Sequence, residues 1–323
     1  MTRYIIRRLL VSIPVIFAIV LFTFAVVHAL PGGPFSNSGE KAMPEQMRII
    51  MERRYGLDQP LYIQFWNYLK MLLHGDLGPM MRMRSQTVND IVAQTWPVSI
   101  QLGMLAIIVA FAIGVPAGIF AALKRNTWID YVATFIAVLG VSINNIVMGP
   151  LLILIFGVWL KWFPIAFWGA EPPWVLGFLP HLSLDFFKHA VLPVFTLGTA
   201  MSAGIARLTR ASLLEVLMSD YIRTARAKGL KERTVIIRHA LKNSLIPVAT
   251  VLGPMLAGVL TGTFVVEQIF ALNGMGRQFL ASIEQREYFL LSSLTLIFSI
   301  MLVLGNLFVD IMYAWLDPRI RYD

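Results

Sequence analysis

The sequence predicts an all-α membrane protein with six transmembrane helices and an external helical insertion after the first span. Three observations carry that expectation. Hydrophobic residues make up 57% of 323 residues and charged residues only 14%, with a mean hydropathy of +0.70, which is more apolar surface than a soluble domain of this length hides in a core. Six stretches are long enough to cross a hydrocarbon core of about 30 Å, which takes about 20 apolar residues as helix. The 27 basic residues fall unevenly on the two sides that six spans define. All six stretches are read as helices, because isolated strands leave their backbone groups unsatisfied in lipid.

The first span, Leu9 to Leu30, follows a basic start and ends small at Val27-His28-Ala29; its 22 positions exceed a signal-peptide core, so it reads as an uncleaved anchor. Residues 31–95 carry two short amphipathic patterns, Met43, Met47, Ile50 and Met51 after Glu40, and Leu61, Phe65, Tyr68, Leu69 and Leu72 after Pro60. They suggest a small helical cap on the membrane surface that could also receive an external partner. The second span, Val98 to Leu123, has Gly114 and Gly118 four apart, a spacing that lets helices approach closely. The third, Tyr131 to Leu160, carries Ser142, Asn144 and Asn145 near its middle. Polar groups at such depth face the bundle interior, so these three and Glu267 are the candidates for lining a pathway, with helix-to-helix hydrogen bonding as the alternative. The loop Lys161 to Lys188 holds eight aromatics in 28 residues, among them Trp162, Trp168 and Trp174, most of which are expected at the lipid headgroups. The fourth span is His189 to Leu208, the fifth Leu245 to Phe270 with Gly258 and Gly262 as a second close-packing pair, and the sixth Phe289 to Tyr313 with Asp310. Pro116, Pro150, Pro193 and Pro254 should kink their helices.

Dividing the chain at these spans puts 16 basic residues with the two termini and 11 on the other side. Both termini are therefore expected in the cytoplasm. The net charge of +9 is mostly this bias and needs no nucleic-acid partner. The absence of cysteine excludes disulfides and thiolate metal sites. No GxxxxGK[ST], HExxH or GxSxG string occurs, so neither nucleotide hydrolysis nor protease chemistry is visible. Gly274-Met275-Gly276 lacks the third glycine of a dinucleotide fingerprint and reads as a turn. The chain is expected to be a non-enzyme that binds no cofactor or metal.

The densest charge lies in "RTARAKGLKERTVIIRHALKN", Arg223 to Asn243, with seven Lys or Arg and one Glu. Ser219 or Asp220 can cap a helix running to Lys228, where Gly229 stands at the position that commonly ends helices in a left-handed turn. Ile237, Leu241 and Leu245 resume a helical pattern toward Pro247. Ile222, Ala225 and Gly229 share a face, and small residues there would let the helix lie deep in a groove. A solvated basic loop drawn to anionic lipid is the plainer alternative.

This stretch resembles the cytoplasmic coupling loop of ATP-binding cassette importer permeases, whose signature is Glu-Ala-Ala, three residues and Gly. Arg223-Thr224-Ala225 takes the Glu-Ala-Ala place, followed by Arg226-Ala227-Lys228 and Gly229; Arg223 stands where the signature has Glu. The longer "YIRTARAKGL…RHALKNSLIPV", with "IIRRLL", "PGGPF", "YGLDQPLYIQFWNYL", "HGDLGP", "VNDIV", "PVSIQLG" and the terminal "LDPRIRY", extends the resemblance over nearly the whole chain, to B-type permeases of oligopeptide importers more than to dipeptide or nickel relatives. Asn273-Gly274 replaces the usual Pro-Gly.

The resemblance implies the type I importer permease fold in a bacterial inner membrane. It divides the chain into a cytoplasmic tail and first span at 1–30, an external insertion at 31–95, a core of five spans at 96–316 with the coupling loop at 211–244, and a cytoplasmic tail at 317–323. It implies a heterodimer with a C-type permease, two ATPase subunits that hold ATP and Mg, an external solute-binding protein, and peptide as substrate. Tyr221, Ile222, Arg223, Thr224, Ala225, Arg226, Ala227, Lys228, Gly229 and Leu230 would then form the ATPase-coupling element. Dipeptides, nickel chelates, glutathione and antimicrobial peptides are the alternative cargoes within the family. An ion-coupled secondary transporter would need midplane charges and inverted repeats, and the sequence shows neither.

Overall fold

A computed structural model describes residues 2–29, 32–35, 44–82, 85–260 and 262–316. Met43 of the first insertion pattern and the tail from residue 317 lie outside the described residues. Helices dominate, and among the described residues the only β pairings are two isolated bridges. Five helices are long and apolar enough to cross a membrane, six when one bent pair counts as a single span.

The first span is α1, Thr2–Ala29. The insertion contributes α2, Glu45–Arg54, and α3, Leu61–Leu73. The second span is α4, Val88–Leu123, which begins well before the apolar run because Thr87 and Asp90 form a reciprocal cap: the Asp90 amide donates to Thr87 Oγ1 at 3.3 Å and the Thr87 amide to Asp90 Oδ2 at 2.9 Å. The fourth span is α7, Leu184–Leu217, and α4 and α7 pack along the most extensive interhelical contact in the chain. The Gly114 and Gly118 expectation holds there. A Cβ on Gly114 would lie 2.6 Å from the Ser202 carbonyl oxygen and one on Gly118 2.5 Å from that of Ala206, so the two backbones approach closer than any side chain allows.

Two expected spans are not single helices. The third is α5, Trp128–Ser142, then α6, Asn145–Leu152, continued by a π-helical turn at Ile153–Trp159, with a 101° bend between its halves. The break has a local cause: Asn144 adopts extended backbone (φ −66°, ψ 144°) and its side-chain oxygen accepts from the Ile146 amide, starting a new helix. The fifth begins, after α8 (Asp220–Ala227), α9 (Glu232–Thr234), a π-helical turn (Val235–Ala240) and α10 (Leu241–Ser244), as α11, Ile246–Leu260, and resumes as α12, Phe264–Ile269. Gly262 lies between them at φ +89°, which no helix interior accommodates. Gly258 and Gly262 are therefore not a packing pair; a Cβ on Gly258 would meet nothing within 4 Å. The chain ends with α13, Met275–Gln285, and the sixth span α14, Tyr288–Leu316.

The insertion is fastened to the first and last spans. Phe65, Tyr68 and Leu72 of α3 pack on Val20 and Phe24 of α1, whereas Leu61 of the same pattern is exposed; on α2 only Met51 is buried and Met47 and Ile50 are exposed. The Tyr68 hydroxyl lies 3.2 Å from Ser293 Oγ, which itself donates to the Leu77 carbonyl at 2.8 Å. The Glu287 carboxylate accepts from the amides of Met81 at 2.9 Å and Arg82 at 2.8 Å, while burial pushes its pKa up. Trp168 departs from the headgroup expectation. It is 4% exposed, stands edge-on to Phe186 and donates from Nε1 to Gln101 Oε1 at 2.6 Å, so it belongs to the core beside α4 and α7. Trp162 remains 61% exposed.

Candidate functional site

The basic stretch forms a helix, a glycine turn and a second helix against one end of the α4 and α7 pair. Helix α8 closes where the Lys228 amide donates to the Thr224 carbonyl at 3.0 Å and the Gly229 amide to that of Arg226 at 2.9 Å. Gly229 then turns at φ +73°, the left-handed conformation its position predicts. Ser219 precedes the helix with extended backbone, yet its hydroxyl donates back to the Val216 carbonyl at 2.6 Å and gives no side-chain cap.

One face of α8 is already occupied within the chain. Ile222 and Ala225 pack with Val235, Ala240, Leu213 and Ala122 in a closed apolar cluster. The face that small residues were expected to seat in a groove is seated, at Ile222 and Ala225, on the chain's own bundle, where the small Ala225 side chain lets α8 lie close. Tyr221, Arg223, Thr224, Arg226, Ala227, Lys228, Gly229 and Leu230 are exposed, and a Cβ on Gly229 would meet nothing within 4 Å. Two cations are engaged locally, Arg226 with Glu232 at 2.8 Å and Arg223 with Asp220 at 3.4 Å. Asn243 Nδ2 donates to the Tyr221 hydroxyl at 2.9 Å, tying the first helix to the second. Lys228, Lys231 and Arg233 have no acid partner among the described residues, so the outward surface is electropositive.

Sequence reasoning missed the brace under this end. Arg210 of α7 donates from both Nε and an Nη to Asp130 of α5, at 2.7 and 2.8 Å, and Asp130 is only 3% exposed. A lone aspartate at the start of an apolar run carries no signal of a partner 80 residues away.

The pathway candidates separate into two places. Ser142, Asn144 and Asn145 sit together at the break between α5 and α6; Ser142 Oγ donates to the Val138 carbonyl at 2.8 Å, and Asn144 is exposed. Glu267 is elsewhere and fully buried. Its Oε1 accepts from Ser99 Oγ at 2.8 Å and the Thr263 amide at 3.2 Å, and its Oε2 from the Arg277 amide at 3.0 Å. Ser99 Oγ in turn accepts from the Met275 amide at 2.9 Å. Glu267 thus joins α12 to α4 and to the first turn of α13, and Gly262, Gly274 and Gly276 leave room for it, since a Cβ on any of them would press on this carboxylate. The Gly274-Met275-Gly276 string is the start of α13, shaped by the glutamate it receives. No group of three or more metal-ligating side chains occurs among the described residues.

Two family models match in succession: the N-terminal component of binding-protein-dependent transport system membrane proteins at residues 1–102, and the binding-protein-dependent transport system inner membrane component at residues 114–322. Over 322 residues, covering 100% of both chains, the protein is 42% identical to the oligopeptide transport system permease protein OppB of Salmonella typhimurium. It is 43% identical to the dipeptide transport system permease protein DppB of Bacillus subtilis over 99% of this chain and 98% of that one, and 39% identical to the glutathione transport system permease protein GsiC of Escherichia coli over 100% of both. A chain of the inward-facing MetNI methionine ABC transporter superposes with a TM-score of 0.54 at 14% identity, over 68% of this chain and 93% of that one, a likeness of fold alone. The chain belongs to the binding-protein-dependent transport system inner membrane component family.

Proposed function

We propose that this chain is the B-type permease subunit of an oligopeptide importer, forming with a C-type permease the path through which peptide crosses the inner membrane. The observation that carries the reading is full-length similarity to an oligopeptide permease, joined to an electropositive helix and glycine turn that are rigidly seated and outwardly unpartnered. In this reading both termini and residues 211–244 face the cytoplasm, and residues 31–95 face outside. Exposed Tyr221, Arg223, Thr224, Arg226, Ala227, Lys228, Gly229 and Leu230 meet an ATPase subunit, while buried Ile222 and Ala225 transmit its motion to α4 and α7. Two such ATPases hold ATP and Mg and supply all the energy. Ser142, Asn144 and Asn145 at the helix break line the path; Glu267 shapes the opposite end of the fifth span without lining it. An external solute-binding protein delivers the peptide.

Reconstitution tests this. Alone in liposomes the chain should neither hydrolyse ATP nor move peptide. With the second permease, both ATPases and a peptide-loaded binding protein, hydrolysis should be stimulated and peptide should accumulate. Uptake driven by an ion gradient through this chain alone would reject the importer. Orientation is read separately in the cysteine-free chain: Ser85→Cys should react with an impermeant thiol reagent from outside, and Thr234→Cys only after the membrane is opened. A dipeptide or glutathione cargo is the second reading, favoured by relatives with those names at 43% and 39% identity. Stimulation by glutathione or dipeptides in place of longer peptides would select it.

A further inference from the structure

A cavity of about 350 Å³ lies between the insertion and the two spans that carry it, α1 and α14. Arg53 and Arg54, the last residues of α2, stand at its edge. Both are exposed, and neither has an acid partner among the described residues. No carboxylate lines the cavity. Of the acids that neighbour lining residues in the chain, Glu52 lies 3.5 Å from Arg48 and Glu287 holds the Met81 and Arg82 amides; Asp58, between Leu57 and Gln59, is exposed and does not line the cavity.

His28 and Gln64 add hydrogen-bonding groups to the lining. The His28 Nδ1 lies 2.8 Å from the Phe24 carbonyl oxygen and its Nε2 3.1 Å from Gln64 Oε1. The Gln64 amide cannot be reversed, because its Nε2 donates to two carbonyls, those of Leu57 at 3.1 Å and Gln59 at 2.7 Å. Both ring nitrogens therefore face acceptors. The ring lies between Phe24 and Tyr288, with centroids at 4.0 and 4.9 Å.

The rest of the lining mixes apolar Phe24, Leu57, Met71 and Phe289 with polar Gln59, Asn67 and Ser292. Tyr68 is 3% exposed and Phe24 8%, giving a dry floor. Outside it, Tyr62 and Trp66 of α3 and Phe22 of α1 are 74%, 55% and 71% exposed, a belt suited to the membrane interface. We infer that the cavity binds the headgroup of an anionic phospholipid, with Arg53 and Arg54 donating to the phosphate and the adjoining glycerol and upper chain resting against Phe24 and Tyr288. A small anion would leave the apolar floor uncovered, and an acidic protein surface would not enter a space of this size. The inference requires only that α1 and α14 cross the bilayer.

Native mass spectrometry and thermal unfolding of the full-length chain in mild detergent test it. Phosphatidylglycerol should stay bound through gentle activation and raise the unfolding temperature more than phosphatidylcholine does. Arg53→Gln/Arg54→Gln, which alters exposed side chains only, should weaken phosphatidylglycerol binding by roughly tenfold or more, since two charge-assisted contacts to the phosphate are lost. Equal response to the two lipids, or unchanged binding in the double variant, overturns the proposal. Protection by inorganic phosphate at matched concentration would make this a free-anion site, and protection by a soluble glutamate-rich peptide would make it a protein-docking site; either result also overturns the lipid assignment.

Discussion

The two ends of the fifth span place their charge in opposite ways. Before α11, residues 221–244 turn Arg223, Arg226, Lys228 and Arg233 outward and keep Ile222, Ala225 and Val235 inside. After it, Glu267 is turned inward and takes hydrogen bonds from Ser99 and two backbone amides. Glycine serves a different need at each end. Gly229 supplies a left-handed turn in open space, whereas Gly274 supplies absence of volume beside a carboxylate. Charge density therefore lies on the exposed surface, and the isolated acid is the one that ties helices together.

Removing the isolated acid should have the largest effect. Glu267→Ala leaves the Ser99 hydroxyl and the Thr263 and Arg277 amides without their acceptor, and unsatisfied buried groups cost about 1–3 kcal/mol each, so a loss of roughly 3 kcal/mol or more is expected. Thermal unfolding in detergent measures it. Glu267→Gln keeps one acceptor and turns the other into a donor facing an N–H, so it should recover only part of the loss. If both variants unfold like the parent, the inward charge is not structural and the contrast collapses.

The glycines sharpen the comparison. Gly274→Ala drives a methyl into the Glu267 carboxylate and should destabilise by about 1–3 kcal/mol through forced displacement. Gly229→Ala meets no neighbour and should cost about 1 kcal/mol, confined to the left-handed backbone. Gly229→Leu should likewise leave insertion and folding intact, yet separate ATP hydrolysis from uptake in the reconstituted importer. Normal uptake by that variant would remove Gly229 from the coupling element.

The smallest expected effect is at the surface. Arg226 and Glu232 are both largely exposed, and such pairs contribute about 0–1 kcal/mol. Glu232→Ala should therefore barely move the unfolding temperature. A shift as large as that of Glu267→Ala would show that the outward charges also carry the fold.

Much of the architecture was legible because its causes are local. Apolar runs of the right length located the spans, the Gly114 and Gly118 spacing marked a close helix contact though not its partner α7, and the turn at Gly229 followed from a glycine after a cationic helix end. The breaks at Asn144 and Gly262 were hidden inside apolar runs, because hydropathy averages over a window and a single residue's backbone conformation does not register in it. Trp168 was misread for a related reason: an aromatic in an external loop looks the same whether it meets headgroups or Gln101.

By itself the sequence determined where the apolar stretches lie, the exposed basic turn and the family. These depend on how each residue type partitions between water and lipid, and on short-range helix signals, both properties of neighbouring residues. Only the tertiary structure decided which polar groups pair. Ser99 with Glu267 and Arg8 with Asp310 are 168 and 302 residues apart in the chain, and their meeting depends on which helices lie side by side. A buried polar group is stable only when a partner arrives from another element, and no local pattern encodes that arrival.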